Sequence, residues 1–138
     1  MPVEAGPHSI DSARAILKPD GDAVVKRVTD NFYPELDADF GDFHGHVLIQ
    51  RHEFTSAWPT WEVHPHGDEF VYLLEGDTDL VLYDAGEERT VRVNDPGSYV
   101  MVTKGVWHTA RPHARTVMLF VTPGEGTENR ELPPGYPR

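Results

Sequence analysis

From Phe43 to Thr122 the chain is cut into short runs rich in Val, Leu, Tyr and Trp, and turn residues interrupt them every eight to twelve positions. That spacing is too tight for ordinary helices and is the signature of an all-β domain, a sandwich or a barrel. The pattern predicts strands at about 45–54, 59–64, 69–75, 78–84, 88–93, 98–102, 106–111 and 115–122. Glu75-Gly76-Asp77 and Asp84-Ala85-Gly86-Glu87 read as hairpin turns, and Asn94-Asp95-Pro96-Gly97 as a further turn. The runs at 70–74 and 117–121 are apolar at consecutive positions, as strands covered on both faces are. One face would line the interior, and the other would pack on the N-terminal segment or on a second subunit.

The flanks have a different texture. Residues 1–42 read as an arm, with Ser9 to Leu17 making two helical turns that place Ile10, Ala13, Ile16 and Leu17 on one stripe. Ala23 to Val28 reads as a short edge strand, and Phe32 to Asp42 as loop. The tail 123–138, rich in proline and glycine, reads as irregular. The expected organisation is therefore an arm over 1–42, a barrel over 43–122 and a loose tail over 123–138.

At 138 residues the chain suits one domain with a usable core. Its formal net charge of −11 argues against nucleic acid and against anionic membrane surfaces, which both need a basic face. No run approaches the ~20 apolar residues of a membrane span, and the N-terminus lacks the basic and apolar regions of a signal peptide, so a cytoplasmic protein is expected. The chain has no cysteine, so any metal must be held by histidine and carboxylate.

Two stretches carry such residues. In Glu62-Val63-His64-Pro65-His66-Gly67-Asp68-Glu69 the two histidines stand at i and i+2, which share a face on a strand, and a carboxylate follows three residues later. His108 heads a second apolar run just past Gly105. Two nitrogens with oxygen suit iron, manganese, nickel or zinc better than calcium or magnesium.

These stretches resemble the two signature motifs of the cupin superfamily, G-x5-H-x-H-x3-4-E-x6-G and G-x5-P-x-G-x2-H-x3-N. His64, His66, Glu69 and Gly76 match the first, and Gly97, Gly105 and His108 the second, over roughly residues 45–122. Trp58, Thr103 and Pro112 depart from the pattern, and only two residues separate His66 from Glu69, where the family has at least three. On a continuous strand that odd offset turns Glu69 away from the histidines unless the chain bulges at Gly67. The resemblance implies a jelly-roll barrel with a divalent metal held by His64, His66, Glu69 and His108, and a homodimer.

Glu62 shares the parity of His64 and is expected to face the interior, either supporting the metal ligands or forming a structural ion pair, with Arg51 as a candidate partner. His46 could also face the pocket from a neighbouring strand, whereas His8, His52 and His113 carry no pattern. The Trp58, Trp61 and Trp107 rings flank both motifs as core, interface or ligand-holding groups. The leading expectation is a metal-binding cupin acting on a small organic molecule by oxygenase- or isomerase-type chemistry. The alternatives are a non-catalytic module that binds a sugar or other metabolite, and a structural protein whose pocket is vestigial.

Overall fold

The computed structural model describes residues 3–137. Eleven strands and one helix follow one another as β1 (Ala13–Leu17), β2 (Ala23–Arg27), α1 (Phe32–Asp39), β3 (Val47–Phe54), β4 (Trp61–Val63), β5 (Glu69–Glu75), β6 (Thr78–Asp84), β7 (Glu87–Val93), β8 (Tyr99–Val102), β9 (Trp107–Pro112), β10 (Thr116–Thr122) and β11 (Glu128–Arg130). They form two antiparallel sheets, one ordered β2-β1-β3-β10-β5-β8 and the other β11-β4-β9-β6-β7. None of the helices among the described residues is long and apolar enough to cross a membrane.

The inner faces of the two sheets meet in one apolar cluster that includes Val71, Leu73, Leu80, Leu82, Val102, Met118 and Phe120. Strand β6 is apolar at consecutive positions because both its faces are covered. Leu80 and Leu82 point into that cluster, while Val81 and Tyr83 pack with Trp61 on the outer face, under Tyr136 of the C-terminal tail. The predicted strand positions are those of β3 to β10, since turn residues bound each run.

Three local expectations fail. The segment from Ser9 to Leu17 holds strand β1 and not a helix, paired on one side with β2 and on the other with β3. Two helical turns are too short to hold alone, whereas β2 offers backbone partners over Ala13–Leu17 and β3 over Ala15–Leu17. The helix lies instead at Phe32–Asp39, where a loop was expected. Pro34 reads as a breaker but sits in the first turn, where its missing N–H costs nothing, and Phe32 and Leu36 bury one face four residues apart. The tail contributes β11, whose three exposed side chains carry no periodicity and whose pairing with β4 is purely backbone.

Two turns divide in kind. Asp84-Ala85-Gly86-Glu87 closes a true hairpin, with Ala85 and Gly86 both at positive φ as the tight twisted turn requires. Glu75-Gly76-Asp77 does not, because β5 and β6 belong to different sheets and the turn carries the chain between them. Gly76 has φ +110°, and a Cβ there would run into the Arg115 carbonyl, so only glycine fits this crossover.

Ile16 is fully buried in a second cluster with Phe32, Leu36, Phe43 and Leu48, which ties β1 and α1 to the main sheet. Replacing Ile16 with Ala should cost about 2–5 kcal/mol, as truncation in a packed core does. Chemical denaturation of the purified variant measures this. A loss below about 0.5 kcal/mol would fit a surface segment and contradict the strand.

Candidate metal centre

The chain changes sheets between His64 and Glu69. Strand β4 ends at Val63, residues 64–68 turn, and β5 opens at Glu69 in the opposite sheet. Strand parity across residues 64–69 therefore does not govern where these side chains point. Glu69 needs no bulge at Gly67, because it starts a new strand whose inward positions are Glu69, Val71 and Leu73. Gly67 is not in the left-handed region; its value is space, since a Cβ there would press into the ring of Pro123 at 2.6 Å.

Four groups meet where the sheets close. Glu62 on β4 pairs in register with His108 on β9, so the two side chains share the inner face. His64 lies just past β4, and Glu69 faces it from the other sheet. The Nε2 of His64 stands 2.9 Å from Glu62 Oε1 and 3.2 Å from Glu69 Oε2. The Nε2 of His108 stands 3.2 Å from Glu69 Oε1 and 3.6 Å from Glu62 Oε1. One ligand atom from each of the four lies within 4.8 Å of all the others. His108, Glu69 and His64 are buried, at 0%, 2% and 4% exposure.

A second set of contacts aims these groups. The Thr127 hydroxyl donates to the Gly124 carbonyl, so at 2.8 Å it accepts from His64 Nδ1–H. His108 Nδ1–H donates to the Val106 carbonyl at 3.2 Å. Both imidazoles thus present Nε2 to the centre. The Thr122 hydroxyl donates to Glu69 Oε2 at 2.5 Å. Yet His64 Nε2, His108 Nε2 and Glu69 Oε1 are buried without a hydrogen-bond partner. They are close in distance but aimed at a shared point, not along one another's lone pairs.

That arrangement fits a cation. Ligands held about 2.0–2.2 Å from one ion lie roughly 2.8–3.6 Å apart, and the four contacts run from 2.9 to 3.6 Å. The donor set, two imidazoles and two carboxylates, is that of iron, manganese, nickel or zinc.

Without an ion the same groups neutralise one another as charges. Burial opposes ionisation of both histidines, but the Glu62 and Glu69 carboxylates outweigh it and lift His64 to about 9 and His108 to about 10. Burial likewise opposes the two carboxylates, and the histidines reverse this, holding Glu62 and Glu69 near 2. Buried groups that shift one another in this way, beside a cavity, are a candidate functional site, and a buried ion pair is weak evidence of a stabilising role.

The predicted residues divide accordingly. His64, Glu69 and His108 come together, and Glu62, expected to support them, stands among them. Arg51 is not its partner, since it faces outward and pairs with Asp11 at 3.0 Å. His66 is not brought to the group. It lies in the turn beyond β4, exposed, with its ring against Gly126, because the strand that would have aligned it with His64 has already ended. His46 is not near the site either; its ring packs between Phe40 and Phe43 and its Nδ1 bonds the His44 carbonyl. Thr127 and Thr122 carry no sequence signal, because lone threonines in a tail and at a strand end have no pattern.

The centre opens on a cavity of about 560 Å³, walled by Phe54, Trp58 and Phe120 among others. Trp58 touches the rings of both Phe54 and Phe120, while Trp61 and Trp107 lie away from the cavity.

The chain matches no protein-family model and no curated protein. Among solved structures it is similar to a cupin-2 domain protein from Shewanella frigidimarina, with TM-score 0.46, 17% identity, and 61% of this chain and 71% of that one covered. It is similar also to a point mutant of Bacillus subtilis oxalate decarboxylase, with TM-score 0.52, 17% identity, and 62% of this chain but 24% of that one covered. A third likeness is to Peruvianin-I, a cysteine peptidase from Thevetia peruviana latex, with TM-score 0.50, 16% identity, and 59% and 54% covered. This chain has no cysteine, so the likeness to the peptidase is one of fold alone.

In protein freed of metal, the centre's contribution to stability should peak between about pH 4.5 and 6.5. The two histidines, raised in the folded state, stabilise it fully below their ordinary value of 6.5 and lose this as pH climbs through 9 and 10. The two carboxylates, lowered in the folded state, stabilise it above 4.5 and lose this as pH falls towards 2. Melting temperatures of chelator-treated protein across this range test the window, compared with Glu69→Gln, in which both slopes should flatten. A wild-type melting temperature that rose from pH 7 to 10, with no such rise in the variant, would contradict the assignment.

Proposed function

On the premise that this chain carries the cupin fold, we propose that it is a mononuclear metal protein acting on a small organic molecule, by oxygenase- or isomerase-type chemistry. The observation behind this reading is the convergence of three unpartnered buried atoms and the Glu62 carboxylate on one point beside a cavity. In the proposal His64, His108, Glu69 and Glu62 hold the ion, and His66 does not. A bound iron, manganese, nickel or zinc ion would supply a Lewis-acidic centre for a substrate oxygen, and iron also redox chemistry with dioxygen. The protein's own part is orientation and shelter. Thr127 and the Val106 carbonyl hold the two rings, Thr122 holds Glu69, and the aromatic wall keeps water from the inner face. Two carboxylates with two neutral imidazoles balance a divalent ion, so the buried centre carries no net charge.

Elemental analysis of protein incubated with each of the four metals tests this. Wild-type protein should hold about one ion per chain, and His108→Ala or Glu69→Gln should hold little. Thr127→Val should weaken affinity about 10–100-fold, as loss of a ligand's orienting partner does. His66→Ala and His46→Ala should leave loading unchanged. A wild type that takes up none of the metals would end the reading. Turnover measured with and without oxygen then divides oxygenase from isomerase, and uptake of metal and ligand without turnover would leave a binding module.

We extend the proposal to a homodimer formed through the outer face of the larger sheet. Outward positions on β5, β8 and β10 hold Phe70, Tyr72, Tyr99, Met101, Leu119 and Val121, with Tyr99 and Met101 exposed at 58% and 44%. Phe70 stacks on Tyr72 at 6.0 Å and meets Tyr99 at 4.8 Å. On a chain of net charge −11, this strip has no acidic side chain to repel a second copy, and contiguous apolar surface of this kind marks association. Light scattering should return about twice the chain mass of 15.5 kDa for the wild type and a single chain for Tyr99→Glu combined with Met101→Glu. A monomeric wild type would refute the dimer.

A further inference from the structure

The cavity has a second polar end, built by residues the metal centre does not use. Gln50 and His52 on β3 point inward, and Tyr33 of α1 lies over them. The Tyr33 hydroxyl donates to Gln50 Oε1 at 2.9 Å and stands 3.4 Å from His52 Nε2. Behind it, Arg14 Nη1 donates weakly to the same hydroxyl at 3.4 Å, and Arg14 Nε is buried with no partner. The guanidinium sits 4.6 Å above the Phe32 ring. Gln50 is 91% buried from its 9% exposure, its carbonyl oxygen is engaged by Tyr33, and its amide nitrogen is left to the cavity. Burial, with the charge of Arg14 behind it, holds His52 below the ordinary histidine value against the opposing pull of Glu62 and Glu69.

A structural anchor for α1 would need only the Tyr33–Gln50 bond. It would not need Gln50 and His52 to line an open cavity, with the Gln50 amide nitrogen turned to it and free to meet a ligand. Strand β10 lies between β3 and β5 with Phe120 opposite both Gln50 and Val71, so the backbone at Glu69, two residues along β5, is about 12 Å from that at Gln50. Between them the wall is Phe54, Trp58 and Phe120, three rings with no charge.

We propose that Tyr33, Gln50 and His52 form a recognition site for the far oxygen of a two-ended ligand, a flat ring with oxygen substituents at opposed positions. One oxygen goes to the metal centre, the ring lies against the aromatic wall, and the other oxygen meets the Gln50 amide and the Tyr33 and His52 groups. The assignment rests on the metal-centre reading above and adds the substrate class.

The test uses metal-loaded protein and two probes, 4-hydroxyphenylacetate with an oxygen at each end and phenylacetate with one, titrated by calorimetry. The two-ended probe should bind about ten-fold more tightly to the wild type, the factor that one net hydrogen bond supplies. In Gln50→Met, and in Tyr33→Phe, which removes one exposed hydroxyl and leaves the ring, that preference should shrink towards unity while phenylacetate affinity and metal content stay as in the wild type. Equal affinities of the two probes for loaded wild-type protein, failure of both to bind it, or a preference that survives both substitutions would overturn the inference and leave the metal centre standing. Protein that takes up no metal would overturn both.

Discussion

Everything in this molecule is arranged around a cluster of charge that the core would not tolerate alone. Two imidazoles and two carboxylates sit where the sheets close, three of the four almost wholly removed from water. Taking such groups out of water costs several kcal/mol each unless a partner restores the balance. Two protons can restore it, turning the histidines into cations, and so can one divalent ion. The protonated form leaves three atoms without aligned hydrogen bonds. The ion satisfies all of them at once, which is why the geometry favours it.

The double sheet is what makes the cluster possible. Glu62 and His108 are neighbours across adjacent strands of one sheet, and Glu69 reaches them from the first residue of a strand in the other. No single hairpin could bring carboxylates to the imidazoles from opposite sides. The crossover at 64–68 therefore does more than connect strands, since it releases Glu69 from the parity of His64. Gly67 allows it by leaving room for Pro123, and the 124–127 turn that follows Pro123 supplies the hydroxyl that orients His64.

Legibility follows the same division. The positions of β3 to β10 were readable because alternation and turn residues are local and each run must bury a face. The convergence of His64, Glu69 and His108 is legible in the paired motifs. His66 falls outside that cluster because i, i+2 spacing has meaning only on an extended strand, and the strand ends at Val63. That Glu62 stands among them is not legible, because nothing local says that its cross-strand neighbour is His108. Strand β1 departs from the helical stripe because pairing with β3, thirty residues on, sets the period, burying Ile16 and turning Leu17 outward. Thr122, Thr127 and His52 were invisible for a related reason: each matters through a partner distant in sequence, and single polar residues carry no period.

The cavity shows how a shared fold acquires individual chemistry. Its inner end is made by Glu62 with three of the motif residues, a donor set that fits a cation and says nothing of what that cation would meet. Its outer end depends on α1 and β1, from the segment preceding the region that resembles the cupin motifs. Tyr33 reaches Gln50 only because Phe32 and Leu36 fasten the helix to Leu48 and Ile16, so packing in a satellite cluster sets a polar geometry in the cavity. Hydrogen-bonding groups buried at the end of an apolar slot discriminate strongly, because a ligand lacking the matching atom leaves them unpaired. On the proposed reading, selectivity would rest on the N-terminal segment acting on β3, and reactivity on the metal centre. The two can change independently, because they meet only through whatever molecule lies between them.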